Sequence, residues 1–247
     1  MTHLRFACLA GCALVFESGC SMALLQTGRT LPKGQTNITV GNEISQRQGL
    51  ANETPQLGQQ TGLRVGVADN VDIGVEGLLL AGAKVTTKVA LLPRESPWAV
   101  AVFGSIGAAG AFDYSSTVTT YDSSGQPSTM TYSADGIFDL EAGAVASYHG
   151  ASGFVPYIGV RWANFWLLDP YVSPPSDPAL SRPSLAGYGN GAFIPAIGFK
   201  VGTPHGGAYF EYQYIVPVTS DPGDGWAWTG THLFNIVAYF CVTKCEL

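Results

Sequence analysis

The sequence is poor in charge for its length. Only 12% of its 247 residues are charged, whereas about 25% is usual for a soluble globular domain. Hydrophobic residues reach 46%, which predicts that much of the surface faces something other than water. Long apolar runs are also missing, because no stretch approaches the roughly 20 residues of a membrane-spanning helix. Two classes fit: a compact glycine-rich β protein and a membrane β-barrel.

Other absences exclude classes of function. The net charge of −6 comes without a basic stripe, which excludes nucleic acid as a partner. Neither a Gly-x-Ser-x-Gly nor a His-Glu-x-x-His motif occurs. Residues 104–110 are rich in Gly and Ala but lack the Lys-Ser/Thr and helix that complete a phosphate-binding loop. We therefore predict no enzymatic activity, no catalytic residue and no cofactor.

Histidine and acidic residues offer little for a metal or a catalytic site. The four histidines are His3 in the N-terminal apolar stretch, His149 and His205 in predicted turns, and His232 at the start of the last predicted strand. Residues 221–225 contain two aspartates but lack the spacing of an EF-hand loop, so we interpret them as a turn. One alternative remains open, in which His232, a loop serine and an acidic residue form a catalytic site at the end of a β domain.

The N-terminus reads as an export signal. Arg5 precedes an apolar run over residues 6–16, and two small residues then precede Cys20. This pattern resembles the lipobox of bacterial lipoproteins, which implies that Cys20 is lipidated and is the first mature residue. Glu17 departs from the aliphatic residue of that pattern. Cys12, and a secretory signal without lipidation, therefore stay as alternatives.

The signal divides the chain into three parts. Residues 1–19 are predicted to be the signal peptide, residues 20–34 a periplasmic linker, and residues 35–247 a single β domain. Near the C-terminus, Cys241 and Cys245 lie four positions apart and can form a disulfide if the chain turns between them. A metal bound by this pair lacks a third nearby cysteine, so we predict none.

Ten segments alternate between apolar and polar residues with the period of a strand. In residues 207–218, for example, Phe210, Tyr212 and Tyr214 share one face, while Glu211 and Gln213 share the other. The ten predicted strands cover residues 35–42, 61–68, 71–79, 82–92, 98–114, about 138–148, 155–166, 189–201, 207–218 and 232–242. A β-bulge is expected at Pro195, which cannot donate a ladder hydrogen bond.

The connections between these strands alternate in length. Short turns follow the second, fourth, sixth and eighth strands, whereas long polar loops are predicted at residues 43–60, 115–136, 167–188 and 219–231. Only the connection after the third strand breaks this rule. Aromatic residues mark strand ends, namely Trp98, Tyr148, Trp166 and Tyr214. With the export signal, this layout resembles the small bacterial outer-membrane β-barrel proteins. The resemblance implies an all-β fold, a single up-and-down antiparallel transmembrane barrel of about ten strands in the cell outer membrane.

Ten charged residues fall on the less apolar faces of the strands. They are Arg64, Asp72, Glu76, Lys84, Lys88, Asp139, Glu141, Arg161, Lys200 and Glu211. The opposite faces carry no charge, which suits contact with lipid because Arg or Lys costs about 2–4 kcal/mol there at mid-bilayer. Five positive and five negative charges in a narrow lumen predict a salt-bridge network that fills it.

These features favour a structural or surface-interaction role. The expected partners are outer-membrane lipid and a surface ligand or envelope protein that contacts the long loops. Transport of a small or hydrophobic solute and a rim-sited lipid-modifying enzyme are the alternatives within the barrel class. A soluble periplasmic β protein, with the charged faces in water, is the alternative outside it.

Overall fold

The computed structural model describes residues 26–47, 56–78, 82–121, 127–150, 152–168, 171–173, 190–218 and 231–243. These residues form eleven β-strands: β1 (Thr36–Arg47), β2 (Gln56–Ala68), β3 (Val71–Leu78), β4 (Gly82–Ala90), β5 (Trp98–Tyr121), β6 (Pro127–Tyr148), β7 (Phe154–Leu168), β8 (Tyr171–Ser173), β9 (Asn190–Thr203), β10 (Gly206–Pro217) and β11 (Thr231–Thr243). No helix in this part of the chain is long and apolar enough to cross a membrane.

Ten of the strands close into a ring. Each pairs antiparallel with its neighbour in the chain, β7 pairs with β9, and β1 pairs with β11 along its whole length. The remaining strand, β8, adds three residues to the edge of β6. Closure removes unpaired edges from the ring. The fold predicted from the sequence, a single up-and-down antiparallel barrel of ten strands, is confirmed.

The two ends of the barrel differ. Short turns at Asp69–Asn70 and at residues 91–97, 149–153 and 204–205 lie at one end, together with the start of β1 and the finish of β11. We call this the short-turn end. The other connections lie at the opposite end, which we call the long-connection end. The predicted short turns are thus confirmed.

Two of the predicted loops are shorter in the structure than the sequence predicts. Residues 115–136 mostly belong to a hairpin, because β5 runs to Tyr121 and β6 begins at Pro127, where the two residues pair. Likewise β1 reaches Arg47 and β2 begins at Gln56, so part of the predicted 43–60 loop is strand. Ser, Thr and Tyr in these segments are compatible with strands, but both faces are polar and the alternation that marked the other strands is lost.

The bulge expected at Pro195 is absent. Pairing between β9 and β7 runs without a register shift through Val160 and Pro195. Pairing between β9 and β10 pauses between Ala196 and Phe193 and resumes in the same register. Because proline has no N–H, the pairing of β9 with β10 is interrupted near Pro195, but no extra residue is inserted into the strand.

Alternate residues point outward and inward around the ring. In β11, Phe234 and Ile236 are 47% and 54% exposed, whereas Asn235 and Val237 are 1% and 0% exposed. In β10, Glu211 and Gln213 are buried inside, as predicted from the alternation. Large apolar side chains thus cover the outside, while polar and small residues line the interior, which reverses the arrangement of a soluble protein.

The interior holds two apolar clusters beside its polar groups. One lies in the short-turn half and contains Phe103, Tyr157, Tyr209 and Tyr239 with small neighbours. The other lies in the long-connection half: Ala163, Ala192, Ile194, Ile215 and Leu233. Glycine makes room for the rings, since a Cβ at Gly198 would lie 2.5 Å from the Tyr157 ring. Among the described residues, side chains therefore pack in both halves of the interior.

Candidate functional site

The first charge cluster of the lumen surrounds Asp72. One carboxylate oxygen lies 2.6 Å from Arg64 Nη1, and the other lies 3.2 Å from Lys88 Nζ. Arg64 also reaches Glu76 Oε1 at 3.1 Å. Strand register produces these contacts, because Asp72 pairs directly with Lys88, and Arg64 pairs with Gly74, which has no side chain to obstruct the guanidinium. We call these four charged residues the Asp72 cluster.

The second charge cluster surrounds Glu141, halfway along β6. Its carboxylate lies 3.5 Å from Lys84 Nζ and 3.4 Å from Arg161 Nη1. Ser105 donates a hydrogen bond of 3.0 Å to the same group. These four residues, the Glu141 cluster, come from β4, β5, β6 and β7. Their contacts link neighbouring strands across the inner wall and neutralise a carboxylate that is only 5% exposed.

A hydrogen-bond chain extends the Glu141 cluster to β10. Arg161 Nη2 donates to Gln213 Oε1 at 2.9 Å, and the Gln213 amide donates in turn to Glu211. The Tyr157 hydroxyl donates to the other Glu211 oxygen at 3.0 Å. Glu211 was predicted to pair with a cation of another strand. The contacts described for it are with a tyrosine and an amide, and the amide bridges it to Arg161.

Two of the ten predicted lumen charges have different surroundings. The Lys200 ammonium lies 4.2 Å from the centre of the Tyr239 ring and 5.8 Å from that of Tyr209, and it forms no ion pair with any described residue. Asp139 has a buried carboxylate oxygen without a hydrogen bond among the described residues. All ten charges point inward, and the structure brings seven of them into ion pairs.

Residues 26–35 lie inside the short-turn end of the barrel, and we call them the plug segment. Lys88 Nζ donates to the carbonyl oxygens of Thr27 at 3.2 Å and Arg29 at 2.7 Å. The Leu31 N–H donates to Asp72, and the Gly28 N–H donates to Ser147. These residues were predicted to belong to a linker. The described part of that linker instead packs against the inner wall, held by the Asp72 cluster.

The fit of the plug segment depends on close backbone approach. A Cβ at Gly66 would lie 2.1 Å from the Pro32 carbonyl oxygen, and one at Gly28 would lie 2.2 Å from the Ala99 carbonyl oxygen. Gly34 N also donates to Gly66 O at 2.7 Å. Glycine at both contact points therefore lets the plug segment lie directly on the wall.

A cavity of about 290 Å³ remains beside the plug segment. Its wall combines the plug segment with residues of β1, β2, β3, β4, β7, β9, β10 and β11 and with the turns of the short-turn end. Arg94, Gly150 and Gly153 are exposed where it reaches the rim. We call it the short-turn cavity.

Aromatic side chains ring the outside at both ends. At the short-turn end, Trp98 and Tyr148 meet edge to face with 5.0 Å between ring centres. At the long-connection end, Phe138 packs on Trp166, and the Tyr214 ring lies 4.9 Å from the ring of His232. The predicted aromatic strand ends therefore form two outer belts, as at the interfaces of a membrane.

The described residues include no arrangement of side chains suited to catalysis or to metal binding. His232 Nδ1 lies 2.8 Å from the Tyr212 hydroxyl on the outer surface; the neighbouring residues 219–230 lie outside the described part, with the aspartates of 221–225. Among the described residues, no group of three His, Cys, Asp or Glu side chains is placed to hold a metal. Cys241 is disulfide-bonded. Cys12, Cys20 and Cys245 lie outside the described residues.

Sequence reasoning missed two groups of lumen residues. Glu43 is buried on the inward face of β1, where it pairs in register with Asn235. Continuing the alternation of the first predicted strand past residue 42 would have found it. The plug segment has no such signal, since its residues lack strand alternation.

No protein-family model matches the chain, and no curated protein matches its sequence. Several solved structures do match. The attachment invasion locus protein Ail of Yersinia pestis is 10% identical, with 85% of this chain and 99% of Ail covered and a TM-score of 0.34. The translocator domain of the autotransporter NalP from Neisseria meningitidis is 9% identical, with 97% and 94% covered and a TM-score of 0.45. An outer membrane channel from Pseudomonas putida F1 is 10% identical, with 92% and 100% covered and a TM-score of 0.46.

Replacing Asp72 by asparagine tests the energetic weight of the Asp72 cluster. Asp72→Asn leaves Arg64 and Lys88 buried with one fewer carboxylate, and breaking a buried pair in this way costs about 3–5 kcal/mol. We expect the urea midpoint of the barrel folded in detergent micelles to fall accordingly, followed by tryptophan fluorescence. Asp69→Asn, in the exposed turn after β2, is the matched control and should change the midpoint little. Equal midpoints for the two variants would contradict the assignment.

The lowered pKa of His149 leads us to predict that the stability of the barrel depends on pH. Burial first, and then the nearby Arg29 and Lys200, lower the pKa of His149 to about 3. An unfolded histidine has a pKa of about 6.5, so between the two values the unfolded chain binds the extra proton and the folded barrel loses stability as pH falls. The apparent melting temperature should drop less between pH 7 and pH 4.5 in His149→Asn than in the wild type. His205→Asn, at an exposed turn position, should behave as the wild type; a wild-type drop in His149→Asn would exclude this origin.

Proposed function

We propose that this protein is an outer-membrane β-barrel whose lumen is closed by side chains and by the plug segment, and which serves a structural or surface-interaction role. In barrels of this class the short turns face the periplasm and the longer connections face the cell exterior. This orientation places the plug segment at the periplasmic mouth. It also agrees with an N-terminal export signal and with lipidation at Cys20, which we keep as part of the proposal.

The distribution of polarity supports the membrane location. All ten lumen charges point inward, and the outward face carries exposed residues such as Ile158, Ile197 and Phe234. An Arg or Lys on that face would cost about 2–4 kcal/mol at mid-bilayer. The two aromatic belts lie where headgroups would meet the barrel. Outer-membrane lipid is therefore the partner for the outer surface.

The contents of the lumen support a closed barrel. The Asp72 cluster, the Glu141 cluster and two apolar clusters fill the interior, and the plug segment occupies the short-turn mouth. Barrels of about eight strands are filled by side chains, whereas 16–18 strands leave an aqueous channel. Ten strands lie near the filled limit, so we propose no general porin activity.

The β5–β6 hairpin is the observation that carries the surface-interaction role. A tilted strand needs about 9–11 residues to cross a bilayer, but β5 has 24 and β6 has 22. Beyond Ala109 the β5 strand no longer pairs with β4. After a register shift between Gly110 and Tyr114, β5 and β6 pair again up to Tyr121 and Pro127. At about 3.3 Å per residue, this extension projects roughly 30–40 Å beyond the ring. A paired ribbon of that length outside the membrane is suited to contact a surface ligand or another envelope protein.

Transport of a small solute is the second candidate, and the short-turn cavity is the observation that favours it. We propose no enzymatic activity, because the described contacts of His232 are with tyrosines on the outer surface rather than with a serine and an acid.

Conductance separates the closed barrel from a pore. The full-length protein, reconstituted in a planar bilayer, should give no steady current of the size that an open general porin gives under the same conditions. The physical reason is that the ion-paired clusters and the plug segment occupy the lumen. Steady open-porin conductance would overturn the closed-lumen proposal, and swelling of liposomes in a small sugar would favour transport.

Labelling on intact cells tests the orientation of the barrel. Thr119→Cys, in the extended part of β5, should react with a membrane-impermeant maleimide added to intact cells. Asn70→Cys, in the turn of the short-turn end, is the matched variant and should react only after the outer membrane is permeabilised. The reverse pattern would contradict the proposed exterior position of the hairpin, and the unsubstituted protein gives the background from native cysteines.

A further inference from the structure

The short-turn cavity is lined by more positive than negative charge. Its lining among the described residues contains one carboxylate, that of Glu76. Five cationic side chains line it as well: Arg29, Arg64, Lys88, Arg94 and Lys200. The interior is balanced in total, with five basic and five acidic residues predicted from the sequence, but the charges are not distributed evenly along its axis.

Ion pairing accounts for only part of this positive charge. Arg64 and Lys88 share Asp72, and Arg64 also neutralises Glu76. Lys200 forms no ion pair with a described residue and is stabilised only by the faces of two tyrosine rings. Such contacts offset little of the cost of taking an ammonium out of water.

Two arginines add to the positive charge of the cavity, with Glu95 near both of them. Arg29, brought to the cavity by the plug segment, donates Nη2 to the Ser96 carbonyl at 2.8 Å, while its buried Nε has no hydrogen-bond partner among the described residues. Arg94 lies exposed at the rim, next to Glu95. Lys200, Arg29 and Arg94 therefore all line the short-turn cavity.

His149 lies beside the same cations. Its ring lines the cavity and lies 2.9 Å from the Ser147 hydroxyl. Burial lowers its pKa most, and the charges that lower it further are all cations: Arg29, Lys200, Lys88 and Arg94. A neutral imidazole in this positive field can still donate one N–H hydrogen bond to an anion.

We propose that the short-turn cavity binds a small oxyanion, a phosphate or carboxylate group, held chiefly by Lys200 and Arg29. About 290 Å³ is roomy beside the roughly 30 Å³ occupied by a water molecule, so an anion fits there together with part of its hydration. Entry is from the short-turn rim at Arg94, Gly150 and Gly153. The site goes beyond the structural and surface role, and it does not depend on whether the lumen conducts.

Thermal unfolding of the full-length barrel in a zwitterionic detergent provides the test. At pH 7 and constant ionic strength, sodium chloride is replaced stepwise by sodium phosphate, and in a separate arm by sodium succinate. A ligand that binds only the folded state raises the melting temperature in a saturable way. We expect saturation with at least one oxyanion, and the arm that saturates at lower concentration identifies the phosphate or the carboxylate class. Identical curves in chloride and in both oxyanions would overturn the proposal.

Variants assign the effect to the cavity. Lys200→Gln should weaken the apparent affinity at least tenfold, whereas Lys200→Arg should stay within about threefold of the wild type. Lys33→Gln is the matched control, because Lys33 is an exposed lysine of the plug segment that does not line the cavity. Should Lys200→Gln not fold, Arg29→Gln replaces it with the same expectation. An unchanged oxyanion response in the cavity variant would refute the site, while conductance measurements would be unaffected either way.

Discussion

The inverted polarity of the closed ring is the constraint on which the rest of the structure depends. The ten strands satisfy their backbone hydrogen bonds by pairing with each other. The outside can then be apolar only if the charged strand residues point inward. A ten-stranded lumen is too narrow to hydrate those charges as bulk water would, and each must find a protein partner or carry a desolvation cost. Asp72, with 0% exposure, meets this demand with two cations and a backbone N–H.

The plug segment follows from the same demand. Lys88 is 3% exposed and shares its carboxylate with Arg64, so its remaining donors need acceptors that the wall lacks nearby. The carbonyl oxygens of Thr27 and Arg29 provide them. A backbone carbonyl neutralises no charge, but it satisfies a buried ammonium hydrogen bond without introducing another desolvated ion. The segment that precedes the barrel thereby becomes part of its interior at the short-turn end.

The sequence predicts the two faces of the barrel well because the side-chain period of a strand is two, and one residue of slippage would turn every charge outward. The inward positions of Arg161 and Lys200 follow from this period. The extension of β5 and β6 could not be predicted in this way, since a ribbon outside the membrane has no apolar face to mark it. The plug segment could not be predicted either, because its position depends on contacts that exist only after the ring closes.

The distribution of charge along the barrel axis cannot be read from the composition. The sequence gives equal numbers of basic and acidic strand residues, from which a balanced lumen was inferred. Two additions lie at opposite ends in the structure: Glu43 lies in register with Asn235, which also pairs with Glu211, while the plug segment carries Arg29 to the short-turn mouth. Glu43 thereby adds a carboxylate away from the short-turn end, whereas Arg29 adds a cation at that end. In the proposed closed barrel, the cations at the short-turn mouth present a positive, anion-attracting surface on the side where the plug segment lies.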